Sequence, residues 1–231
     1  MLSITINNVI ANKLLQNWKK LLKSKQYLFS LALSLMIWVV GCVLYAKVIV
    51  FVDNLKGLPS VDDLLLDILP VVDLRYVYIY SIIVILVVLF VYIICRVPDL
   101  FPFSLKLFAL VFIVRAIFIS MTHLGPPEAF LIPAFGSEFA FWPLNNLTHS
   151  NDLFFSGHVA YPFMGALILR HDKMMFYFFL FCSFLMGVTV LLMRIHYTID
   201  VAAAFFIVYG IYAAAKRIFG HIDLSFNKLI K

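Results

Sequence analysis

The sequence predicts an all-α membrane protein, one bundle of six transmembrane helices, and three observations carry that expectation. Hydrophobic residues make up 64% of the 231-residue chain and charged residues only 13%. A soluble domain is about half apolar and a quarter charged, so polar surface here is too scarce to coat a globule in water. The apolar residues gather into six runs close to the roughly 20 residues that a hydrocarbon core about 30 Å thick requires of a helix. Finally, the basic residues cluster at the ends of those runs rather than along one face, which makes them signals of topology.

Residues 1–26 form a basic, cytoplasmic N-terminal segment. It ends in Trp18-Lys19-Lys20-Leu21-Leu22-Lys23-Ser24-Lys25, with apolar positions recurring near helical spacing between lysines. That pattern suits a helix lying in the headgroup region. The membrane domain occupies 27–215, and its first span runs from about Tyr27 to Val52. No small-residue cleavage site follows that span, so it reads as a retained anchor rather than a removed signal peptide. An acidic linker holding Asp53, Asp62, Asp63, Asp67 and Asp73 leads to the second span, about Leu74–Cys95, and the third, about Leu105–Met121. The longest hydrophilic stretch, Thr122–Asp152, comes next. The fourth span is about Leu153–Leu169, the fifth Met174–Met193 and the sixth Thr198–Ala215, before a basic cytoplasmic tail at 216–231.

Six spans leave both termini on one side of the membrane. That side receives thirteen of the eighteen basic residues, among them Lys20, Arg96, Lys106, Arg170, Lys216 and Lys228. The other side receives Lys47, Lys56, Arg75 and Arg194. Basic residues stay in the cytoplasm, which puts both termini inside and the acidic linker and long connection outside. The net charge of +6 is thereby accounted for without nucleic acid, for which the chain has no groove-binding motif. Cys42, Cys95 and Cys182 lie inside apolar runs, where a thiol packs as a small hydrophobe.

Ionisable residues within or beside the spans are costly in hydrocarbon and mark candidate chemistry. Arg115, His158, Arg194, His196 and Asp200 stand out, and the topology brings His158, His196 and Asp200 to one depth near the outer interface, with Arg115 about two turns deeper. His196 and Asp200 are four apart, so on a helix they share a face and the carboxylate can accept a hydrogen bond from one imidazole nitrogen. The other nitrogen is then left basic and free to attack phosphorus. His158 can protonate the departing alkoxide, while Arg115 and Arg194, with Ser156, can bind phosphoryl oxygens in a low-dielectric site. Asp152 and Tyr197 are auxiliary candidates. The plain alternative is that such a pair only ties helices together or lines a polar cavity. His123 and His149 read as solvated residues of the outer connection, and Asn146-Leu147-Thr148 has glycosylation spacing.

The residues that carry this chemistry resemble a family. Asp152-Leu153-Phe154-Phe155-Ser156-Gly157-His158 is similar to the Asp-x-x-x-Ser-Gly-His block of sphingomyelin synthases, and His196-Tyr197-Thr198-Ile199-Asp200-Val201 to their His-Tyr-Thr-x-Asp-Val block. Arg115 followed by Thr122, and Val97-Pro98-Asp99, resemble further elements in family order. The resemblance implies a six-helix fold within the type-2 phosphatidic acid phosphatase superfamily. It implies His196 as nucleophile, Asp200 as its orienting group, His158 as acid, and no metal or other cofactor. It also implies an active site on the extracytoplasmic face that moves a phospho-headgroup from a phospholipid donor to a lipid alcohol. Ser150-Asn151 and Val159 depart from the family pattern, and the lipid phosphatases' Ser-Arg six and five residues before the second histidine is here Val190-Leu191, with Arg194 the nearest basic residue, so headgroup and acceptor stay open. With water as acceptor the same site is a phosphatase or phospholipase, and a transporter lined by these residues is a third reading.

Overall fold

A computed structural model describes residues 2–131 and 151–230, with side chains from residue 12 onward. Asn146, Thr148 and His149 fall outside the described residues. Every regular element among the described residues is helical: α1 (Leu2–Lys23), α2 (Lys25–Asp53), α3 (Leu64–Ile68), α4 (Arg75–Arg96), α5 (Phe101–Met121), α6 (Gly157–Ile168), α7 (Lys173–Leu192), α8 (Thr198–Asp223) and α9 (Asn227–Ile230). A 3-10 turn, Pro98–Leu100, leads into α5. Local chemistry sets several starts. Ser24 accepts the Tyr27 N–H at 3.3 Å before α2, and Asp172 accepts the Met175 N–H at 3.2 Å before α7.

Five of these helices are long and apolar enough to cross a membrane: Lys25–Asp53, Arg75–Arg96, Pro98–Met121, Lys173–Leu192 and Thr198–Ile230. They carry a shell of exposed large apolar residues such as Val84, Phe181, Phe184 and Phe206, which suits lipid and not water. Among the described residues, the fourth expected run is not one of these five spans. Helix α6 has only 12 residues, about 18 Å of rise, well short of the hydrocarbon core. The stretch 153–156 before it is not helical. Irregular backbone at such a place is tolerated when protein surrounds it, and Leu153, Phe155 and Ser156 are indeed buried.

Helix α6 is the central element of the bundle. It packs against α4, α7 and α8, and Val159, Ala160, Met164 and Ala166 are fully enclosed. With Leu89, Leu107, Val111, Phe179, Met186 and Ala204 they form the main apolar core. Helices α2 and α5 lie closely side by side. Gly41 makes that possible, since a Cβ there would stand 3.0 Å from the Ala109 carbonyl oxygen, the small-residue contact usual between membrane helices.

One boundary and one charged residue differ from the sequence reading. Helix α8 continues through 216 to Asp223, so the basic tail begins inside a helix. Lys106, read as a charge flanking a span, is instead 2% exposed within the bundle. Its Nζ donates to both carboxylate oxygens of Asp223, at 2.7 and 3.0 Å, and to Ser30 at 2.6 Å. The partner that makes burial of this charge tolerable sits 117 residues away.

Candidate functional site

The site lies where α6 and α8 begin and α7 ends. Helix α8 starts at Thr198 with Asp200 in its first turn. The Asp200 carboxylate accepts the Tyr197 backbone N–H at 3.0 Å and contacts His196 Nδ1 at 3.3 Å. Both side chains are buried, at 3% and 1% exposed. A carboxylate on Nδ1 selects the tautomer that carries its proton there and leaves Nε2 as the basic nitrogen. The four-residue spacing thus produces the orienting pair, although His196 itself precedes the helix.

One backbone hydrogen bond joins the two histidine segments: the Ser156 N–H donates to the Asp200 carbonyl at 3.1 Å. It ties the N-terminus of α6 to the first turn of α8 and brings His158 into the same layer as His196. The His158 ring stacks on Tyr78 of α4 with centroids 3.9 Å apart, and it lies within electrostatic reach of both His196 and Arg115.

Arg115 reaches this layer from α5. The residue is 2% exposed, and its guanidinium donates to Asp152 at 2.7 Å and to the Tyr45 hydroxyl at 2.9 Å. The Tyr45 hydroxyl in turn donates to the second oxygen of Asp152 at 2.5 Å. Asp152 is therefore the counter-ion of Arg115. Gly157 lets the guanidinium pass, since a Cβ there would stand 2.3 Å from Arg115 Nη1 and 3.2 Å from the Tyr161 ring.

Arg194 enters from the end of α7. The Arg194 N–H bonds to the Leu191 carbonyl at 3.0 Å and the Ile195 N–H to the Val190 carbonyl at 2.9 Å. These are the two bonds of a Schellman termination, with Arg194 at φ 56° in the position that usually takes glycine. The side chain then bonds to the Leu69 carbonyl at 3.2 Å. Tyr197 is oriented away from the histidines: its hydroxyl donates to the Gly125 carbonyl at 2.9 Å and accepts from the Val61 N–H at 3.2 Å. Its backbone N–H, not its ring, serves the site.

Among the described residues, three buried side-chain polar atoms have no hydrogen-bond partner: Arg115 Nε, Ser156 Oγ and Arg194 Nε. These three residues are the phosphate-binding set expected from the sequence. Buried polar groups are nearly always satisfied, so unpaired donors at one end of a bundle call for an explanation. An anion with several acceptor oxygens supplies one. No three His, Cys, Asp or Glu side chains among the described residues are grouped closely enough to hold a metal ion.

Asp63 escaped the sequence reading. Its carboxylate accepts the Thr198 N–H at 2.6 Å and the Thr198 hydroxyl at 2.8 Å, and it also caps α3 through the Leu65 and Leu66 N–H groups. One acidic residue of the linker thus holds the helix start that carries Asp200. Burial pushes this carboxyl up, but the bonds from Thr198, Leu66 and Leu65 outweigh it and hold Asp63 below the ordinary carboxylate range. Nothing in sequence singles it out from four neighbouring aspartates. His123, expected to be solvated, is exposed and lies 3.1 Å from the Ser120 carbonyl.

Comparison with known proteins corrects the family expectation. The model of the family described as AtPDCT1/2, phosphatidylcholine:diacylglycerol cholinephosphotransferases, matches residues 59–217. That is more than two thirds of the chain, and it contains Asp63, Arg115, Asp152, Ser156, His158, Arg194, His196 and Asp200. The sphingomyelin synthase assignment is overturned by this match. No curated protein and no solved structure matches the chain.

Proposed function

The chain belongs to the phosphatidylcholine:diacylglycerol cholinephosphotransferase family, whose members are lipid phosphocholine transferases, and on that premise we propose that it exchanges phosphocholine between phosphatidylcholine and diacylglycerol by double displacement at His196. The observation that carries the reading is the set of unpaired donors on Arg115, Ser156 and Arg194 beside the buried His196–Asp200 pair. It gives a nucleophile, its orienting carboxylate and the means to bind a phosphoryl group in one layer.

In the first half-reaction His196 Nε2 attacks phosphorus, the bond to the diacylglycerol oxygen breaks, and His158 gives that oxygen a proton. Asp200 stabilises the positive imidazole, as the third member of a catalytic triad does. In the second half-reaction the hydroxyl of another diacylglycerol loses its proton to His158 and attacks phosphorus, which releases His196. Charge on the phosphoryl oxygens is met by Arg115, Arg194 and Ser156 in a water-poor setting where such contacts count most. No divalent ion enters any step. Both steps occur on the extracytoplasmic face, in keeping with the distribution of lysine and arginine.

Purified protein in vesicles, given choline-labelled phosphatidylcholine and a distinguishable diacylglycerol, should yield labelled phosphatidylcholine built on the new diacylglycerol. Release of free phosphocholine or phosphate instead would make the enzyme a hydrolase. Exchange that vanishes in EDTA and returns with one divalent ion would sink the metal-free mechanism.

A further inference from the structure

Beyond the site, an apolar cleft of about 310 Å³ lies between α3, α7 and α8. Its walls include Leu65 and Leu69 from α3 and its C-terminal cap, Val188 and Leu192 from α7, and Val201 from α8, with Gly187 as part of the floor. Leu65 and Val188 are each 40% exposed, so the cleft opens sideways at the surface that the bundle presents to lipid.

We infer that this cleft seats an acyl chain of the glycerolipid whose headgroup is being transferred. The inference rests on the lipid-transfer reading given above, and three observations favour this occupant. First, the cleft adjoins one member of the phosphate-binding set, because Leu69, which lines it, accepts with its carbonyl the hydrogen bond from Arg194 at 3.2 Å. Second, its floor touches both halves of the reacting layer. A Cβ on Gly187 would stand 3.2 Å from Val201, the residue after Asp200, and 3.6 Å from Val159, the residue after His158. Third, its lining residues are all apolar, which suits a hydrocarbon chain and no polar ligand.

The role of such a cleft follows from the solvent. An acyl chain that enters it leaves other acyl chains, not water, so there is little hydrophobic gain in entering. The cleft therefore acts by shape. It fixes one chain so that the phosphorus stands before His196, and positioning of this kind can alter rate by on the order of 10²-fold for a 1 Å displacement. The consequence is a dependence on chain length that appears in kcat and hardly in KM.

The test uses the full chain in vesicles with phosphatidylcholine that carries a diazirine near the tail of one acyl chain. After photolysis, adducts should concentrate at 65–69 and 187–192 rather than on Phe206 and Tyr209, which are 80% and 60% exposed on α8. An even spread over all lipid-facing residues would overturn the proposal. Val188→Trp, and independently Leu65→Trp, should remove those adducts. Each should lower kcat for long-chain phosphatidylcholine by about tenfold or more and leave a short-chain analogue within about twofold. Equal loss on both chain lengths in both variants would also overturn it. The adduct map needs no turnover. If the wild-type protein transfers no headgroup, the transferase reading fails and the cleft is still judged by where the lipid tail attaches.

Discussion

Arg194 combines a backbone duty with a proposed ligand duty. Its left-handed conformation, φ 56°, costs a non-glycine residue roughly 1–2 kcal/mol, yet it closes the Schellman turn that aims the chain toward His196. Glycine would make the same turn without strain, so Arg194→Gly separates the two duties. Relief of that strain should offset the lost bond to Leu69 and leave thermal unfolding nearly unchanged. Headgroup exchange should fall about 10- to 100-fold, the scale of a lost charge-assisted bond. A large drop in thermal stability, or unaltered exchange, would refute the phosphate contact. His196 and His158 divide in a similar way. His196→Ala should abolish the trapped phosphoenzyme on every substrate. His158→Ala should lose about 10²–10⁴-fold on phosphatidylcholine, the range of general acid catalysis. It should recover much of that rate with a nitrophenyl phosphoester, whose leaving group needs no proton. Rescue of His196→Ala in place of His158→Ala would exchange the two assignments.

At the scale of the element, the starts of α6 and α8 matter most. Gly157 admits the Arg115 guanidinium, and Gly157→Ala would put a Cβ 2.3 Å from Nη1. The guanidinium is held by Tyr45 and Asp152, so it is not free to swing aside. Exchange should drop about 10²-fold or more, the scale of a lost electrostatic contact to the transition state, while helix content by circular dichroism stays intact. Normal activity in this variant would show that Arg115 does not serve the phosphate. The clamp on α8 gives a pH test. Asp63 has a depressed pKa in the folded protein, so the stability it contributes is complete above the ordinary carboxylate value of about 3.9. It drains away as pH falls below that value through the folded one. Melting curves in detergent should show a larger loss below about pH 4 for the wild type than for Asp63→Asn, which lacks the titrating group. Identical acid profiles would mean that Asp63 does not hold the start of α8.

For the whole molecule, sidedness decides whether the proposed chemistry faces away from the cytoplasm. Lys20 and Lys228, at one end of the bundle, and Lys56, in the linker at the other, are all exposed. Cysteines introduced singly at these positions, with Cys42, Cys95 and Cys182 replaced by alanine, should react differently with an impermeant reagent in intact cells. Position 56 should label at once, and positions 20 and 228 only after permeabilisation. The reverse pattern would move the site to the cytoplasmic face.

Five span positions and the ionisable residues that the structure brings together around His196 were legible in sequence, for one reason. Hydrocarbon penalises charge so heavily that apolar runs mark where helices cross, and each surviving charge marks something bound or paired. Hydropathy could not show that Leu153-Phe154-Phe155-Ser156 is irregular and α6 short, because buried irregular backbone and buried helix use the same apolar side chains. Nor could it show that Lys106 is paired with Asp223, or that Asp63 alone of its neighbours clamps Thr198. Those outcomes depend on which distant segments fold together. Short motifs led to the wrong family because a few residues can be shared between families, whereas the match over 59–217 spans most of the chain. The sequence by itself determined an apolar bundle and a layer of histidine, aspartate and arginine, since both follow from composition and local spacing. Only the tertiary structure decided that Asp152 neutralises Arg115, that Ser156 is tied to Asp200, and that an apolar cleft forms between α3, α7 and α8, because each requires residues far apart in the chain to meet.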